Sequence, residues 1–126
     1  MSNEDLEKGI KIRRKIRGDK HVDAVLKRSD PYSPQFQHFI NEFSWGMIWA
    51  RPGLDLKTRA LITVGMLCAL NRADEFKAHV QGALNAGATT DEIMEVCYHS
   101  AVYCGFPAAN NAVRMGIEIF KDKGLI

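Results

Sequence analysis

The segment from residue 56 to residue 70 is apolar on nearly every side beyond its first turn, and this constrains the fold more than any other feature. Its apolar residues follow one another without a polar stripe: Ala60, Leu61, Ile62, Val64, Met66, Leu67, Cys68, Ala69 and Leu70. A helix of this kind belongs at the centre of a helical bundle or in an interface between subunits. No apolar run in the chain reaches the roughly 20 residues that a membrane span requires.

The rest of the chain also has helical patterns, and no segment alternates polar and apolar residues as a strand would. Helices are predicted over residues 2–17, 21–28, 33–50, 56–70, 73–86, 90–104 and 107–122. The short connections between them favour an antiparallel bundle. At 126 residues, the chain is predicted to form one domain, 1–126.

Helix ends are marked by residues with known preferences. Ser33 is expected to cap a helix that has Pro34 in its first turn. Asp55 is expected to cap the next helix, and Gly87 to end the one after it. The run Thr89-Thr90-Asp91-Glu92 has the spacing of a capping box, with Thr at the cap and Glu three residues on.

The helix that begins at Ser33 has two different faces. One is an apolar stripe at three- and four-residue steps, made of Phe36, Phe39, Ile40, Phe43 and Met47. The other combines two rings, a carboxylate and an imidazole: His38, Glu42, Trp45 and Trp49. This second face is either part of a subunit interface, where tryptophan is common, or the wall of a ligand pocket.

Composition excludes several classes of protein. A hydrophobic content of 46% fits a folded chain, and the net charge of +2 is nearly balanced. A basic run (Lys11, Arg13, Arg14, Lys15 and Arg17) lacks the interleaved aromatic residues that stack on bases, so we interpret it as a solvated helix face. The charged N-terminus contains no signal-peptide core, which favours a cytoplasmic location. Cys68, Cys97 and Cys104 lie in apolar stretches and are expected to be buried free thiols.

Five sequence blocks, taken together with their order and spacing, are characteristic of one protein family. They are Gly18-Asp19-Lys20-His21-Val22-Asp23, the run from Trp45-Gly46 through Arg51-Pro52-Gly53 to Asp55, Leu56-Lys57-Thr58-Arg59, Phe76-Lys77-Ala78-His79-Val80, and Tyr103-Cys104-Gly105-Phe106-Pro107-Ala108-Ala109-Asn110. In spacing and order the chain resembles the carboxymuconolactone decarboxylase family, over nearly its whole length. Several blocks in register are far more specific than any one of them.

The resemblance implies an all-α fold, an antiparallel helical bundle of the alkylhydroperoxidase D-like type. It also implies a ring-like homo-oligomer, a hexamer built from trimers or dimers. The implied reaction is decarboxylation of 4-carboxymuconolactone to the β-ketoadipate enol-lactone, in protocatechuate catabolism and without a cofactor. Two alternatives stay open: a related enzyme that acts on another lactone or keto acid, and a helical oligomer that binds a small ligand without catalysis.

His79 is the first candidate for chemistry. An imidazole beside an apolar helix face is either a core residue or a proton-transfer group, since its ordinary pKa lies near 6.5. The resemblance favours catalysis, because the family carries histidine in this block. Arg59 and Arg51 are candidate anchors for a substrate carboxylate. Each could instead be a surface arginine or part of an intersubunit ion pair, and Arg59 is preferred because it matches the Thr-Arg block.

Glu95 and His99 form the remaining candidate pair. Four residues apart on one helix, they belong either to a solvated row of ion pairs or to a dyad in which the carboxylate orients the imidazole. The substrate-binding set is therefore Arg59, Glu42, Trp45, Trp49, Arg51 and His99. No metal site is predicted, because no two histidines have ligand spacing. The related disulfide reductases carry a Cys-x-x-Cys before their histidine, and the corresponding residues 71–75 contain no cysteine.

Overall fold

A computed structural model describes residues 3–126, within which the regular elements are all helices and no strand occurs. The residues separate into two compact units, Met1–Asp55 and Leu56–Ile126. The first contains α1 (Asn3–Arg17), α2 (Asp19–Leu26), α3 (Ser33–Phe39) and a π-helix (Ile40–Trp49). The second contains α4 (Leu56–Leu70), α5 (Ala73–Asn85), α6 (Thr90–Cys104) and α7 (Phe106–Asp122). The all-α prediction is confirmed for the described residues, and the single-domain assignment stays a prediction.

Predicted and observed helix bounds differ by at most two residues for every helix but the one that begins at Ser33. The predicted start at residue 2 lies outside the described residues. Gly87 follows α5 with a φ of 96°, a left-handed conformation that glycine adopts without steric cost. The capping box is confirmed, because the Thr89 hydroxyl accepts from the Glu92 N–H at 3.0 Å and the Thr89 N–H donates to the Glu92 carboxylate at 2.9 Å.

In the first unit, α1 packs directly against the π-helix, backbone to backbone. A Cβ atom on Gly9 would overlap the carbonyl oxygen of Asn41 and the amide nitrogen of Gly46. A Cβ atom on Gly46 would overlap the carbonyl oxygen of Asp5. Both positions therefore require glycine, since rigid backbone stands where a side chain would begin.

The π-helix replaces the second half of the helix predicted over 33–50. Asn41, Glu42, Trp45 and Gly46 form its buried side. The predicted apolar stripe is mostly exposed instead, and Phe36 retains 61% of its accessible surface. The polar residues Asn41 and Glu42 can be buried because Arg13 and His38 bind them. The apolar periodicity of the sequence therefore identifies the exposed side of this segment, not its buried side.

The start of α3 differs from the prediction in its capping group. Ser33 is the first helical residue, and the cap position is Tyr32. The Asp30 carboxylate accepts from the N–H groups of Tyr32 at 3.0 Å and Ser33 at 2.8 Å. Hydrogen bonds from the Ser33 side chain and from these backbone groups lower the pKa of Asp30 to about 2. Asp30 thus satisfies the N–H groups that we assigned to Ser33.

In the second unit, each of the four helices contacts the other three. Its buried residues come from all four helices, among them Val64, Phe76, Val80, Ile93, Cys97, Ala112, Ile119 and Phe120. α4 buries Ala60, Val64 and Cys68, whereas Ile62, Met66 and Leu70 on the same helix are exposed. The helix is therefore covered on one side only within its unit. None of the helices between residues 3 and 126 is both long enough and apolar enough to cross a membrane.

Candidate functional site

His79 lies on α5 beside the face that packs into the second unit. Phe76, Val80 and Ala83 are buried on the same helix, and His79 is half-buried. Its Nδ1 atom is enclosed by protein. The imidazole thus has the position expected from the sequence, at the edge of an apolar face, and its role in proton transfer stays a prediction.

The two candidate arginines have different surroundings. Arg59, on α4 in the second unit, is half-buried with an enclosed Nε atom. Its carbonyl oxygen accepts a hydrogen bond from the Thr63 hydroxyl at 2.8 Å. Arg51 is exposed and follows the π-helix in the first unit, with its N–H donating to the Ile48 carbonyl at 3.1 Å. An enclosed guanidinium binds a carboxylate with less competition from water, so Arg59 remains the preferred anchor.

A cavity of about 490 Å³ lies between α4 and α6, within the second unit. Its wall combines apolar side chains with a carboxylate, an imidazole and two hydroxyls: Thr58, Leu61, Ile62, Gly65, Glu95, Val96, His99 and Ser100. This volume suits a small organic ligand. His99, one of the predicted binding residues, is therefore at a concave surface.

The predicted pair of Glu95 and His99 is wrong. No ion pair joins them among residues 3–126, and the His99 ring lies instead 5.4 Å from the Tyr103 ring. Both Glu95 and His99 are exposed, so water competes with a mutual ion pair. Glu92, on the same helix, pairs with Lys57 at 3.0 Å.

A carboxylate–imidazole pair of the predicted kind is present in the first unit. His38 Nε2 lies 2.7 Å from the Glu42 carboxylate, whose side chain is only 8% exposed. Beyond Glu42, the Trp45 and Trp49 rings stack with their centroids 4.7 Å apart. The sequence placed all four side chains on one face, but it did not identify His38 as the partner of Glu42.

His38 also lines a small cavity of about 160 Å³ inside the first unit. The wall is mostly apolar, with an imidazole and two amides as its polar groups: Leu6, Ile10, Val25, Leu26, Pro34, Gln37, His38 and Asn41. Gln37 and Asn41 both accept hydrogen bonds from the Arg13 guanidinium at 2.8 Å. Arg13 is buried, so the interpretation of the whole basic run as a solvated face is wrong at this residue.

The cysteines divide into two kinds. Cys68 and Cys97 are buried free thiols, as predicted, and burial raises the pKa of Cys97 to about 11. Burial also raises the pKa of Cys68. Since the thiolate is the nucleophile, neither is suited to catalysis at neutral pH. Cys104 is exposed near the C-terminal end of α6, which corrects the expectation that all three are buried.

Metal ligands do not cluster in the described part of the chain: no three His, Cys, Asp or Glu side chains in residues 3–126 come together as a metal ion would require.

Comparison with known proteins decides the family. The profile described as "Carboxymuconolactone decarboxylase family" matches residues 34–118, which is more than half of the chain. This chain belongs to the carboxymuconolactone decarboxylase family. The match covers most of α3 and α7 and all of the π-helix, α4, α5 and α6, and therefore includes all seven predicted site residues.

Three curated relatives extend the family match to the residues before α3. A 4-carboxymuconolactone decarboxylase from Acinetobacter baylyi is 41% identical over 119 residues, 94% of this chain and 89% of the relative. The nitrosuccinic acid decarboxylase npaB from Metarhizium robertsii is 39% identical over 121 residues, 94% of this chain and 85% of the relative. An uncharacterized 15.0 kDa protein from Paracoccus denitrificans is 32% identical over 105 residues, 82% of this chain and 77% of the relative.

Proposed function

We propose that this protein is a carboxy-lyase that converts 4-carboxymuconolactone to the β-ketoadipate enol-lactone and carbon dioxide. The observation that carries the proposal is the 41% identity with the Acinetobacter baylyi decarboxylase over 94% of this chain and 89% of the relative. The family profile supports the same reaction class. The reaction belongs to protocatechuate catabolism, and the proposed location of the enzyme is the cytoplasm.

The chemistry requires no cofactor. Cleavage of the bond between the ring carbon and its carboxylate releases carbon dioxide and leaves the bonding electron pair on the ring. That pair delocalises through the ring double bond into the lactone carbonyl, giving a furanolate anion. A proton then bonds to the carbon beside that carbonyl, which gives the enol-lactone. The protein has to hold the second carboxylate, stabilise the developing oxyanion and deliver the proton.

Two side chains of the second unit are assigned to these tasks. We assign proton transfer to His79, whose half-buried position beside apolar residues suits an acid–base group. We assign the second carboxylate of the substrate to Arg59, whose guanidinium is partly enclosed. Glu42, Trp45, Trp49, Arg51 and His99 remain candidate binding residues. The carboxylate that leaves should not be paired with a cation, because such a pair would stabilise the ground state.

Carbon dioxide release from 4-carboxymuconolactone tests the proposal directly. The wild-type protein should release one carbon dioxide per lactone consumed, without added metal or cofactor. His79→Gln should lower kcat by about 10²- to 10⁴-fold with the fold retained. Arg59→Ala should mainly raise KM, because an anchor of the non-reacting carboxylate binds ground and transition states alike. Absence of carbon dioxide release by the wild-type protein would refute the assigned substrate.

Each His79 result has a distinct meaning. Circular dichroism and light scattering of His79→Gln should match the wild type. A folded variant with normal kcat would refute the role of His79 and direct the same test to Glu42 and His38, which form the observed carboxylate–imidazole pair. An unfolded variant would assign His79 to the core.

A second candidate reaction is decarboxylation of nitrosuccinate. The npaB relative, 39% identical over 94% of this chain, supports it. In both reactions, the electrons left by carbon dioxide delocalise into a neighbouring acceptor, a lactone carbonyl or a nitro group, and one carboxylate remains. Assays with both compounds under the same conditions decide between them by the ratio of kcat/KM. We prefer the lactone on the slightly higher identity and on the blocks around Arg59 and His79.

We also propose that the chain forms a homo-oligomer, with a hexamer as the expected size. Both units support this by leaving large apolar side chains exposed: Phe36, Phe39 and Phe43 in the first, and Met66, Leu70, Val102 and Phe106 in the second. Contiguous apolar surface marks interaction sites on soluble proteins, and Phe36, Phe39 and Phe43 lie on one stripe of their segment. Light scattering at micromolar concentration should give a multiple of the 14.1 kDa chain mass, and a monomer mass would refute the proposal.

A further inference from the structure

The cavity of about 160 Å³ in the first unit has one ionisable side chain among the described residues that line it. Every helix of that unit contributes to the wall: Leu6 and Ile10 from α1, Val25 and Leu26 from α2, Pro34, Gln37 and His38 from α3, and Asn41 from the π-helix. His38 alone among these residues can change its charge near neutral pH. A molecule inside the cavity is therefore surrounded mostly by apolar side chains and has a single acid–base partner.

The His38 imidazole is held in place by a carboxylate. Its Nε2 atom lies 2.7 Å from the Glu42 carboxylate, which is 8% exposed, whereas the His38 side chain is 44% exposed. A carboxylate accepts hydrogen bonds and donates none, so Nε2 carries the proton of this pair and Nδ1 is left for a second partner. Glu42 thus sets both the orientation and the tautomer of the ring. Because His38 is partly exposed, a solute can reach it.

A second polar group of the wall is fixed by Arg13. Its Nη1 donates at 2.8 Å to the amide oxygens of Gln37 and Asn41. Asn41 is almost fully buried and belongs to the floor of the cavity, whereas Gln37 is half-buried. Since Arg13 occupies the amide oxygen of Gln37, the –NH2 group of Gln37 is the donor left for another partner. The imidazole and this amide are therefore ordered before a ligand arrives, which lowers the cost of binding.

We propose that this cavity binds a small carboxylic acid, with His38 as the residue that shares a proton with the carboxyl group and Glu42 as the residue that positions His38. The neutral imidazole takes the proton of the acid at Nδ1. The result is a carboxylate anion that accepts a hydrogen bond from an imidazolium cation, and the total charge is unchanged. The Glu42 carboxylate stabilises the imidazolium on its other side. The second oxygen of the bound carboxylate is an acceptor for the Gln37 amide.

The walls and the volume of the cavity limit the rest of the ligand. Leu6, Ile10 and Val25 offer no hydrogen-bonding side chain, so the body of the acid has to be apolar. At about 30 Å³ for each water, a cavity of 160 Å³ has the volume of about five water molecules. Isobutyrate, which has a compact branched body, is therefore the probe. Isobutyramide has nearly the same shape but carries no carboxylate and serves as the control ligand.

Tryptophan fluorescence measures binding, because Trp45 and Trp49 share the π-helix with Glu42. At constant ionic strength, the wild-type protein should bind isobutyrate with a Kd of about 1 mM, and isobutyramide at least about 10-fold more weakly. His38→Gln should weaken isobutyrate binding by at least about 10-fold. Glu42→Gln should weaken it as well, although glutamine still offers Nε2 an acceptor, because the stabilising charge is lost.

A pair of leucines provides a matched test of the cavity itself. Leu26 lies on its wall and Leu54 does not, yet both are in the first unit and are similarly exposed, at 47% and 43%. Leu26→Phe should reduce isobutyrate binding by at least about 10-fold because the larger side chain occupies part of the cavity. Leu54→Phe should bind isobutyrate as the wild type does. Neither change alters His38 or Glu42, so this test stands even if Glu42→Gln fails to fold.

Calorimetry detects the shared proton, which a merely structural role of the His38–Glu42 pair would not produce. When isobutyrate binds as the anion at pH 8, the imidazole has to take its proton from the buffer. The heat of binding should then differ between two buffers of different ionisation enthalpy. This difference should disappear in His38→Gln and decrease in Glu42→Gln.

Kinetics with 4-carboxymuconolactone identifies the source of the acid, although the proposed site does not depend on that reaction. If the substrate supplies the carboxyl group, isobutyrate should inhibit competitively, and KM should rise in Leu26→Phe but not in Leu54→Phe. If KM stays normal while Leu26→Phe loses isobutyrate binding, the cavity binds a separate acid. Both results support the site. Failure of the proposed function is distinct from both, because the wild-type protein would then release no carbon dioxide but would still bind isobutyrate.

Four results would overturn the proposal: no isobutyrate binding by the wild-type protein at 10-fold above the expected Kd of about 1 mM, isobutyramide binding of equal strength, unchanged binding by folded His38→Gln, or equal binding by the two leucine variants. A heat of binding that is the same in both buffers would overturn the shared proton. Circular dichroism and light scattering confirm that each variant keeps the wild-type fold and mass.

Discussion

Replacement of Gly9 by alanine should destabilise the first unit, although alanine is the better helix former. In the interior of a helix, the change from glycine to alanine stabilises by about 1 kcal/mol. Here the new methyl would overlap the Asn41 carbonyl oxygen and the Gly46 amide nitrogen, which are backbone atoms and cannot rotate away. Overpacking costs about 1–3 kcal/mol, and the absence of a movable neighbour places Gly9→Ala near the upper end. The net loss should be about 2 kcal/mol.

Urea unfolding followed by tryptophan fluorescence measures this loss. Trp45 and Trp49 are the two tryptophans of the chain and both lie in the first unit, so the signal reports on it. With an m value of about 2 kcal/mol/M, the midpoint should fall by about 1 M. Protein concentration is held fixed, because association would shift the midpoint.

Gly53→Ala is the matched control in the same unit. A Cβ atom there meets no atom within 4 Å, so stability should stay within about 0.5 kcal/mol of the wild type. If Gly9→Ala is as stable as Gly53→Ala, the backbone contact between α1 and the π-helix does not require glycine and the packing argument is wrong.

Four further predictions concern capping and the thiols. Thr89→Ala should lower stability by about 1 kcal/mol in urea unfolding, whereas Thr90→Ala, one residue inside α6, should cost less. Asp30→Asn should lower the stability of the folded state at neutral pH, and this loss should disappear in acid. Folding lowers the pKa of Asp30 to about 2 from about 4, so the carboxylate stabilises the folded state above pH 4 and ceases to do so as the pH falls through 2. A constant difference in stability from the wild type between pH 2 and 7 would contradict this. Cys104→Ser should keep normal turnover, and Cys97 should resist iodoacetamide in mass spectrometry until the protein unfolds; labelling of native Cys97 would contradict its burial.

Most of the helical framework was predictable because it rests on local rules. Gly87 ends α5 and Thr89 caps α6 through contacts within a few residues of sequence. The π-helix was not predictable in this way. Its backbone hydrogen bonds join residues five apart instead of four, and no residue type in the segment predicts this difference. Gly9 packs against the π-helix, and the two are far apart in the sequence. The periodicity of residues along a single helix carries no information about such a contact.

In the candidate site too, features that depend on local sequence were predictable and features that depend on tertiary surroundings were not. The positions of His79, Arg59 and His99 on their helices could be predicted, because a helix fixes which residues share a face. The partner of Glu42 could not be chosen by spacing alone, since both Glu42–His38 and Glu95–His99 are four residues apart. Burial distinguishes the two pairs: the Glu42 side chain is shielded from water, whereas Glu95 and His99 are exposed. A shielded carboxylate has a stronger need for a partner.

In the first unit, the predicted apolar stripe is exposed and polar residues are buried instead, and the need of buried polar groups for partners explains this as well. An apolar stripe identifies a helix face that avoids water, but it does not say whether the cover comes from the same chain or from another copy. Here the same chain buries Asn41 and Glu42, which have partners for their polar groups, and leaves Phe36 and Phe43 exposed. Burial of a polar side chain that has a matched partner is nearly neutral in free energy. An exposed aromatic ring contributes favourable free energy only when another surface buries it. The buried hydrogen bonds therefore set the inner face of the π-helix, and the apolar stripe becomes available to the proposed oligomer.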